Sequence, residues 1–292
     1  MAQMFNAMVR QAGTTYTRVS STVRGDPVNW RNDDGLSPLH LACMEAKPHV
    51  VQVLLQEPKI DVNITDKAGE TALYKACTEG FKEIVELLLA HPKIVPDKGN
   101  KLGVTPFLVA CQRCHKELVS LLLADARVDP NKPNNLAETP LYYVCQNNLS
   151  EMVSMLLVEP RVAPNKPDIN GATPFFIVCF QGNTKLVHLL LTNSIIEINQ
   201  RNVNEATPFF VACQKGHKEV VSLLLSDPRI DAKMSQSQGV TPFSIACWNG
   251  HKDVVSQLWL IRELIPTSQR MIEQLPFSLP ARRATRRWFH YC

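Results

Sequence analysis

Cys111-Gln112-Arg113-Cys114-His115 spells the attachment sequence for a c-type haem, and its first four residues spell a dithiol redox pair. Covalent haem needs both sulfurs beside an open pocket. Only Cys114 is peculiar to this stretch. Cys111 belongs to a column of seven cysteines (Cys43, Cys77, Cys111, Cys145, Cys179, Cys213 and Cys247), each 34 residues from the next. Sulfurs recurring at a fixed interval read as small buried hydrophobes. Haem and redox chemistry are therefore set aside, with Cys114 left as an exposed thiol. His115, His217 and His251 share a second column at a turn, one per repeat, and read as structural groups rather than metal ligands. No phosphate-binding loop, zinc cluster or His-Glu constellation appears. The expectation is a protein that is not an enzyme and holds no cofactor or metal.

The elements that place these columns follow from the repeat. The chain has 292 residues, 45% apolar and 20% charged, with 31 basic and 27 acidic side chains, a composition too apolar and too close to neutral for a disordered polymer. No apolar run is long enough to span a membrane, and the first residues lack a secretory pattern. Ser37-Pro38, Thr71-Ala72, Thr105-Pro106, Thr139-Pro140, Thr173-Pro174, Thr207-Pro208 and Thr241-Pro242 fall 34 residues apart without a slip. A period of this size decides the architecture. Ser or Thr caps a first helix, and Pro suits its first position, where the missing N–H is not needed. A turn follows, marked by Gly80, Gly182, Gly216 and Gly250. The second helix shows helical apolar spacing, as in Val220-Val221 with Leu223-Leu224-Leu225, and stops near Pro58, Pro92, Pro160 and Pro228. An Asn-, Asp- and Gly-rich stretch with hairpin chemistry leads on. Helices this short need stacked neighbours for stability.

Over roughly residues 26 to 264 this pattern resembles the ankyrin repeat. Ser37-Pro38-Leu39-His40, Gly216-His217, Gly250-His251 and Asp61-Val62-Asn63 carry the resemblance best. It implies an all-α repeat solenoid of stacked helix-turn-helix units with hairpin loops, capped at both ends. Cysteine replaces the usual second alanine in every repeat, and the histidine of the first motif survives only as His40. Tyr74, Leu108, Tyr142, Phe176, Phe210 and Ser244 fill its column elsewhere, so packing is expected to replace a hydrogen bond the family normally makes. The extra residue of the 34-residue period lies after the second helix, at Pro228-Arg229-Ile230-Asp231. By resemblance, neighbouring repeats hold the column cysteines farther apart than the roughly 7 Å Cα limit of a disulfide. Reduced thiols favour cytosol or nucleus over secretion. The glycosylation patterns Asn63-Ile64-Thr65 and Asn148-Leu149-Ser150 then read as chance matches.

Three segments are expected: a capping half-repeat over 1–30, seven repeats over 31–264 starting near 37, 71, 105, 139, 173, 207 and 241, and a C-terminal cap with an Arg-rich tail over 265–292. Phe5, Met8, Val9 and Ala12 form the apolar side of the first cap. Its arginines and hydroxyls also fit a mitochondrial transit peptide, the less favoured reading. Leu258-Trp259-Leu260-Ile261 is more apolar than a bare end should be. Residues 266–292 are expected to cover part of it, through a short helix bearing Met271, Ile272 and Leu275. Six arginines against two glutamates in 262–292 account for the whole net charge of +4.

The resemblance puts partner contacts on the concave face, at hairpin tips and at two first-helix positions per repeat. Those positions are Met44-Glu45, Thr78-Glu79, Gln112-Arg113, Gln146-Asn147, Phe180-Gln181, Gln214-Lys215 and Trp248-Asn249. The tips add Asp33, Asp34, Lys67, Glu70, Lys101, Leu102, Leu136, Ile169, Val203 and Gln238. Repeats 1 and 2 read as an acidic end, and repeats 3 to 7 as a Gln/Asn-rich surface with apolar points. Phe180 and Trp248 are either interface anchors or packed against neighbouring helices. The expected function is a non-catalytic scaffold or adaptor, a cytoplasmic or nuclear monomer. Its partner is a protein or peptide centred on repeats 5 to 7, with a basic portion reaching repeats 1 and 2. As the alternative, Arg282, Arg283, Arg286 and Arg287 with Trp288, Phe289 and Tyr291 bind nucleic acid or an anionic membrane. Arg282-Arg283-Ala284-Thr285 also matches a basophilic kinase site. A ubiquitin-ligase adaptor box from Leu275-Pro276 onward lacks the expected Leu and Cys spacing.

Overall fold

The computed structural model describes residues 28–237, 239–261 and 264. The expected caps over 1–30 and 265–292, the basic tail and the tip residue Gln238 lie wholly or largely outside them. The chain divides into two units at Pro140–Leu141.

In the first unit, α1 (Pro38–Met44) and α2 (Pro48–Leu55), α3 (Ala72–Glu79) and α4 (Lys82–Ala90), and α5 (Pro106–Gln112) and α6 (Lys116–Ala124) form three antiparallel pairs. In the second, α7 (Pro140–Gln146), which begins at the division, is followed by α8 (Ser150–Leu157), and α9 (Pro174–Gln181) with α10 (Thr184–Leu191), α11 (Pro208–Lys215) with α12 (Lys218–Ser226), and α13 (Pro242–Trp248) with α14 (Lys252–Trp259) form three pairs. Among the described residues there is no strand, only an isolated bridge between Thr65 and Thr71. In the first unit α1, α3 and α5 pack in succession, and in the second unit α9, α11 and α13 do; the second helices pack likewise, α2 on α4 on α6 and α8 on α10 on α12 on α14. The fold class is an all-α repeat solenoid.

Local chemistry sets each boundary. Ser37, Thr71, Thr105, Thr173, Thr207 and Thr241 each accept the N–H three residues on through the side-chain oxygen. Such a cap contributes about 1 kcal/mol. The turn between the helices needs a left-handed residue. Gly80, Gly182, Gly216 and Gly250 supply it, but Ala46, Cys114 and Asn148 also adopt positive φ in that column. All seven column cysteines are buried, and burial pushes the thiols of the first six far up, so they act as apolar filling.

Three side-chain systems stitch the repeats. In the hairpins, Asp66 and Asn100 each accept two turn N–H groups through Oδ1, and the next hairpin's N–H meets the previous carbonyl, as Lys101 does Ala68 at 3.0 Å. Below them runs an asparagine ladder. Asn63 donates to the Lys93 carbonyl at 2.7 Å and accepts from Val95 N–H at 2.9 Å; Asn29, Asn165 and Asn199 repeat both contacts. A third system lies just after the second helices. Arg127 pairs with Asp125 and donates to the Leu89 carbonyl at 2.6 Å, while Arg229 pairs with Asp227 and donates to the Leu191 carbonyl at 2.8 Å. Each arginine satisfies the bare C-terminal end of the preceding second helix.

Candidate functional site

The two first-helix columns fall in the last turn of each first helix or just past it, where side chains leave the packed interior. Every one of the fourteen residues reaches solvent. Glu45, Thr78, Gln112, Gln146 and Gln214 are half-buried, and the others are exposed. Phe180 is 39% exposed and Trp248 71%, so neither is core packing. Leu102, Leu136, Ile169 and Val203 are likewise exposed at the hairpin tips.

Much of the amide chemistry is internal. Gln181 Nε2 donates to the Gln146 carbonyl at 2.7 Å, Asn249 Nδ2 to the Gln214 carbonyl at 2.8 Å, and Asn147 Nδ2 to the Tyr143 carbonyl at 2.9 Å. These donors lace neighbouring repeats or the helix itself. The turn histidines behave alike. Nε2 of His115 lies 3.1 Å from the Thr78 carbonyl, that of His217 2.9 Å from Phe180, and that of His251 2.9 Å from Gln214. Among the described residues no cluster of His, Cys, Asp and Glu has metal-binding geometry. Cys111 is buried and Cys114 exposed, so the two sulfurs of the haem-like sequence occupy different environments.

The acidic end of repeats 1 and 2 is less acidic than its sequence. Lys75 bonds Glu70 and lies 2.9 Å from Asp66, and Lys47 pairs with Glu45 at 2.6 Å. Partial burial opposes ionisation of Asp66, yet Lys75 and the turn N–H groups prevail and hold it below the usual carboxylate range. Sequence reasoning missed Lys75 because its column is otherwise apolar or aromatic (Leu41, Val109, Tyr143, Ile177, Val211, Ile245). Asp33, Asp34 and Glu79 remain exposed.

The histidine column also departs from expectation. Packing fills it at Leu108, Phe176 and Phe210, but Tyr142 donates its hydroxyl to Asp168 at 3.2 Å and Tyr74 accepts from Asn100 at 3.4 Å. A tyrosine therefore restores a polar link to the next hairpin. His40 is buried, its Nδ1 facing Ser37 at 2.8 Å and its Nε2 facing the Glu70 carbonyl at 2.9 Å.

The family model for ankyrin repeats matches residues 8–98, 93–168, 157–233 and 175–263, most of the sequence. The chain belongs to the ankyrin-repeat family. Among solved structures, the crystal structure of the ankyrin repeat domain of Bcl-3, described as a unique member of the IkappaB protein family, is similar in fold. It aligns with a TM-score of 0.71 at 21% identity, over 78% of this chain and all of that one. No curated protein matches the sequence. As ankyrin repeats, the fourteen positions share one register, and the second unit's members combine two exposed aromatics with one ammonium. Lys215 Nζ sits 4.4 Å from the centroid of the Phe180 ring. No helix among the described residues is long and apolar enough to cross a membrane.

Proposed function

We propose that this ankyrin-repeat protein is a non-catalytic interaction scaffold that binds a protein or peptide on the face built from its first-helix ends and hairpin tips. The observation that carries the reading is the exposure of Trp248 and Phe180 in register with each other, on a stretch whose other column residues are Gln146, Asn147, Gln181, Gln214, Asn249 and the single cation Lys215. An indole left 71% in water costs hydrophobic free energy that a partner would recover, and buried aromatics dominate interface energetics. Ankyrin arrays generally serve as protein-binding modules, and the similar Bcl-3 domain comes from a member of the IkappaB family. Fold alone does not name the partner. Among the eight column positions of the second unit Lys215 alone is charged, a composition closer to an interface core than to ordinary surface.

Affinity capture with the full chain, beside a Phe180→Ala/Trp248→Ala variant, tests the reading. Both side chains lie outside the core, so the variant should keep the helical signal and unfolding midpoint of the parent. Partners lost only from the variant are expected. Identical capture by a folded variant would remove the proposal.

A further inference from the structure

The four first helices of the second unit read Pro-Leu-Tyr-Tyr-Val-Cys-Gln, Pro-Phe-Phe-Ile-Val-Cys-Phe-Gln, Pro-Phe-Phe-Val-Ala-Cys-Gln-Lys and Pro-Phe-Ser-Ile-Ala-Cys-Trp. They contain no carboxylate and one formal charge, Lys215. Carboxylates on the adjoining hairpins are already engaged. Asp168 accepts from the Tyr142 hydroxyl and from two turn N–H groups, and Glu205 pairs with Arg201 at 3.3 Å. Among the described residues Lys215 has no ion-pair partner; its ammonium is steered instead over the Phe180 ring. The Phe180 carbonyl is tied to His217 Nε2 at 2.9 Å, which holds the backbone beneath that ring. A face with a positioned cation, exposed Phe180 and Trp248, and engaged carboxylates is complementary to an acidic apolar segment.

We infer that the second unit's first-helix face takes a peptide segment whose carboxylate (from Asp, Glu or the peptide's own C-terminus) meets Lys215 while an adjacent aromatic or aliphatic side chain packs on Trp248 and Phe180. A basic segment is disfavoured there because its charge would meet Lys215, while the hairpin carboxylates Asp168 and Glu205 already have partners. The aromatic side chains supply contact area, and Lys215 supplies the sign of the charge selected. The inference rests on the peptide-binding reading above and adds the chemistry of the ligand.

A displayed library of random peptides, selected on the full-length protein, separates the two layers. Peptides that bind the parent but not the folded Phe180→Ala/Trp248→Ala variant are ligands of this face. Their sequences should be enriched in Asp and Glu relative to the input library, next to Phe, Trp, Leu or Ile. Lys215→Glu should weaken them about tenfold, Lys215→Met less, and selection on Lys215→Glu should yield Lys- or Arg-containing peptides instead. Face ligands without acidic enrichment, or bound equally by Lys215→Glu, overturn the charge assignment and leave the binding face standing. Recovery of no peptide that depends on Phe180 and Trp248 overturns both.

Discussion

The imidazole of His217 lies so close over Gly182 that a Cβ on the glycine would come within 2.4 Å of Nδ1. The same pairing joins Gly80 to His115, at 2.7 Å from Cε1, and Gly216 to His251, at 2.5 Å from Nδ1. Glycine meets two demands here: a left-handed turn, with φ from 76° to 83°, and room for the next repeat's ring. Where the turn residue carries a Cβ, the position thirty-five on is not histidine: Ala46 is followed by Phe81, Cys114 by Leu149 and Asn148 by Asn183. The last pair interacts differently, Asn183 Nδ2 donating to Asn148 Oδ1 at 2.7 Å.

Gly182→Ala should therefore be costly on both counts. The left-handed conformation costs an alanine about 1–2 kcal/mol, and displacing the ring adds overpacking of a similar size. We expect a loss of about 3 kcal/mol in denaturant unfolding. The double change Gly182→Asn/His217→Asn, which copies the Asn148–Asn183 pair, should recover more than half of it. Strictly additive losses from the two positions would contradict the coupling.

Much of this fold was legible in the sequence because its determinants are local and repeated. The Thr-Pro start, the turn glycine and the cysteine column each act within one repeat or between neighbours in fixed register, so their period exposes them. What escaped is what breaks a column. Lys75 in a mostly apolar column neutralises part of the acidic end. The tyrosines at 74 and 142 look like packing residues until the asparagine or aspartate twenty-six positions on is seen beside them. Gln181 and Asn249 look like ligand-binding amides, but their donors close onto the preceding repeat. The exposure of Phe180 and Trp248 depended on a register that the helix ends fix only in three dimensions.

Asp97 occupies the asparagine ladder and cannot do the whole job. Its Oδ2 accepts from Asp129 N–H at 2.8 Å, as the asparagines accept, but Oδ1 is buried and makes no hydrogen bond. By register it stands where an asparagine amide would donate to the Arg127 carbonyl. Burial first, then the like charges of Asp129 and Asp125, raise its pKa, while Asp129 N–H and Lys132 act in the other direction. Asp97→Asn should stabilise the protein by about 1–2 kcal/mol at neutral pH. An acid with a raised folded pKa costs stability when ionised. The advantage of the variant should thus shrink as pH falls through that raised value toward the ordinary one near about 3.9. Denaturant midpoints of both proteins across this range check it; a constant gap would disprove the titration.

His40 gives a second pH dependence of known sign. Ser37 N–H donates to its Nδ1 at 3.1 Å, which places the ring proton on Nε2, toward the Glu70 carbonyl. Burial, partly offset by that carbonyl, lowers the pKa of the ring. The unfolded protein then takes up the proton first, at about 6.5. Stability from the neutral ring is complete above that value and is lost as pH falls through it toward the lower folded pKa. Between pH 7.5 and 5.5 the wild-type unfolding midpoint should fall further than that of His40→Leu, which imports the Leu108 solution of the same column. Equal slopes would assign the loss to other groups.

The thiols offer the most direct test of the stacking itself. Seven cysteines line the interior of their repeats, and Cys114 alone among the described cysteines faces solvent, in a left-handed turn with φ of 58°. Thiolate is the reactive form, and burial suppresses it. In a Cys292→Ser variant, whose substitution lies outside the described residues, a thiol-labelling reagent should modify one sulfur quickly under native conditions. Cys114→Gly should abolish that fast phase, and should also stabilise the fold by about 1 kcal/mol, because glycine relieves the left-handed backbone. The seven others should react only as the repeats open, at rates that rise with denaturant. Because each thiol sits in a different repeat, mass mapping of partly labelled protein would rank the repeats by stability. Rapid labelling of Cys145, Cys179 or Cys213 in the folded protein would contradict an interior column in the second unit.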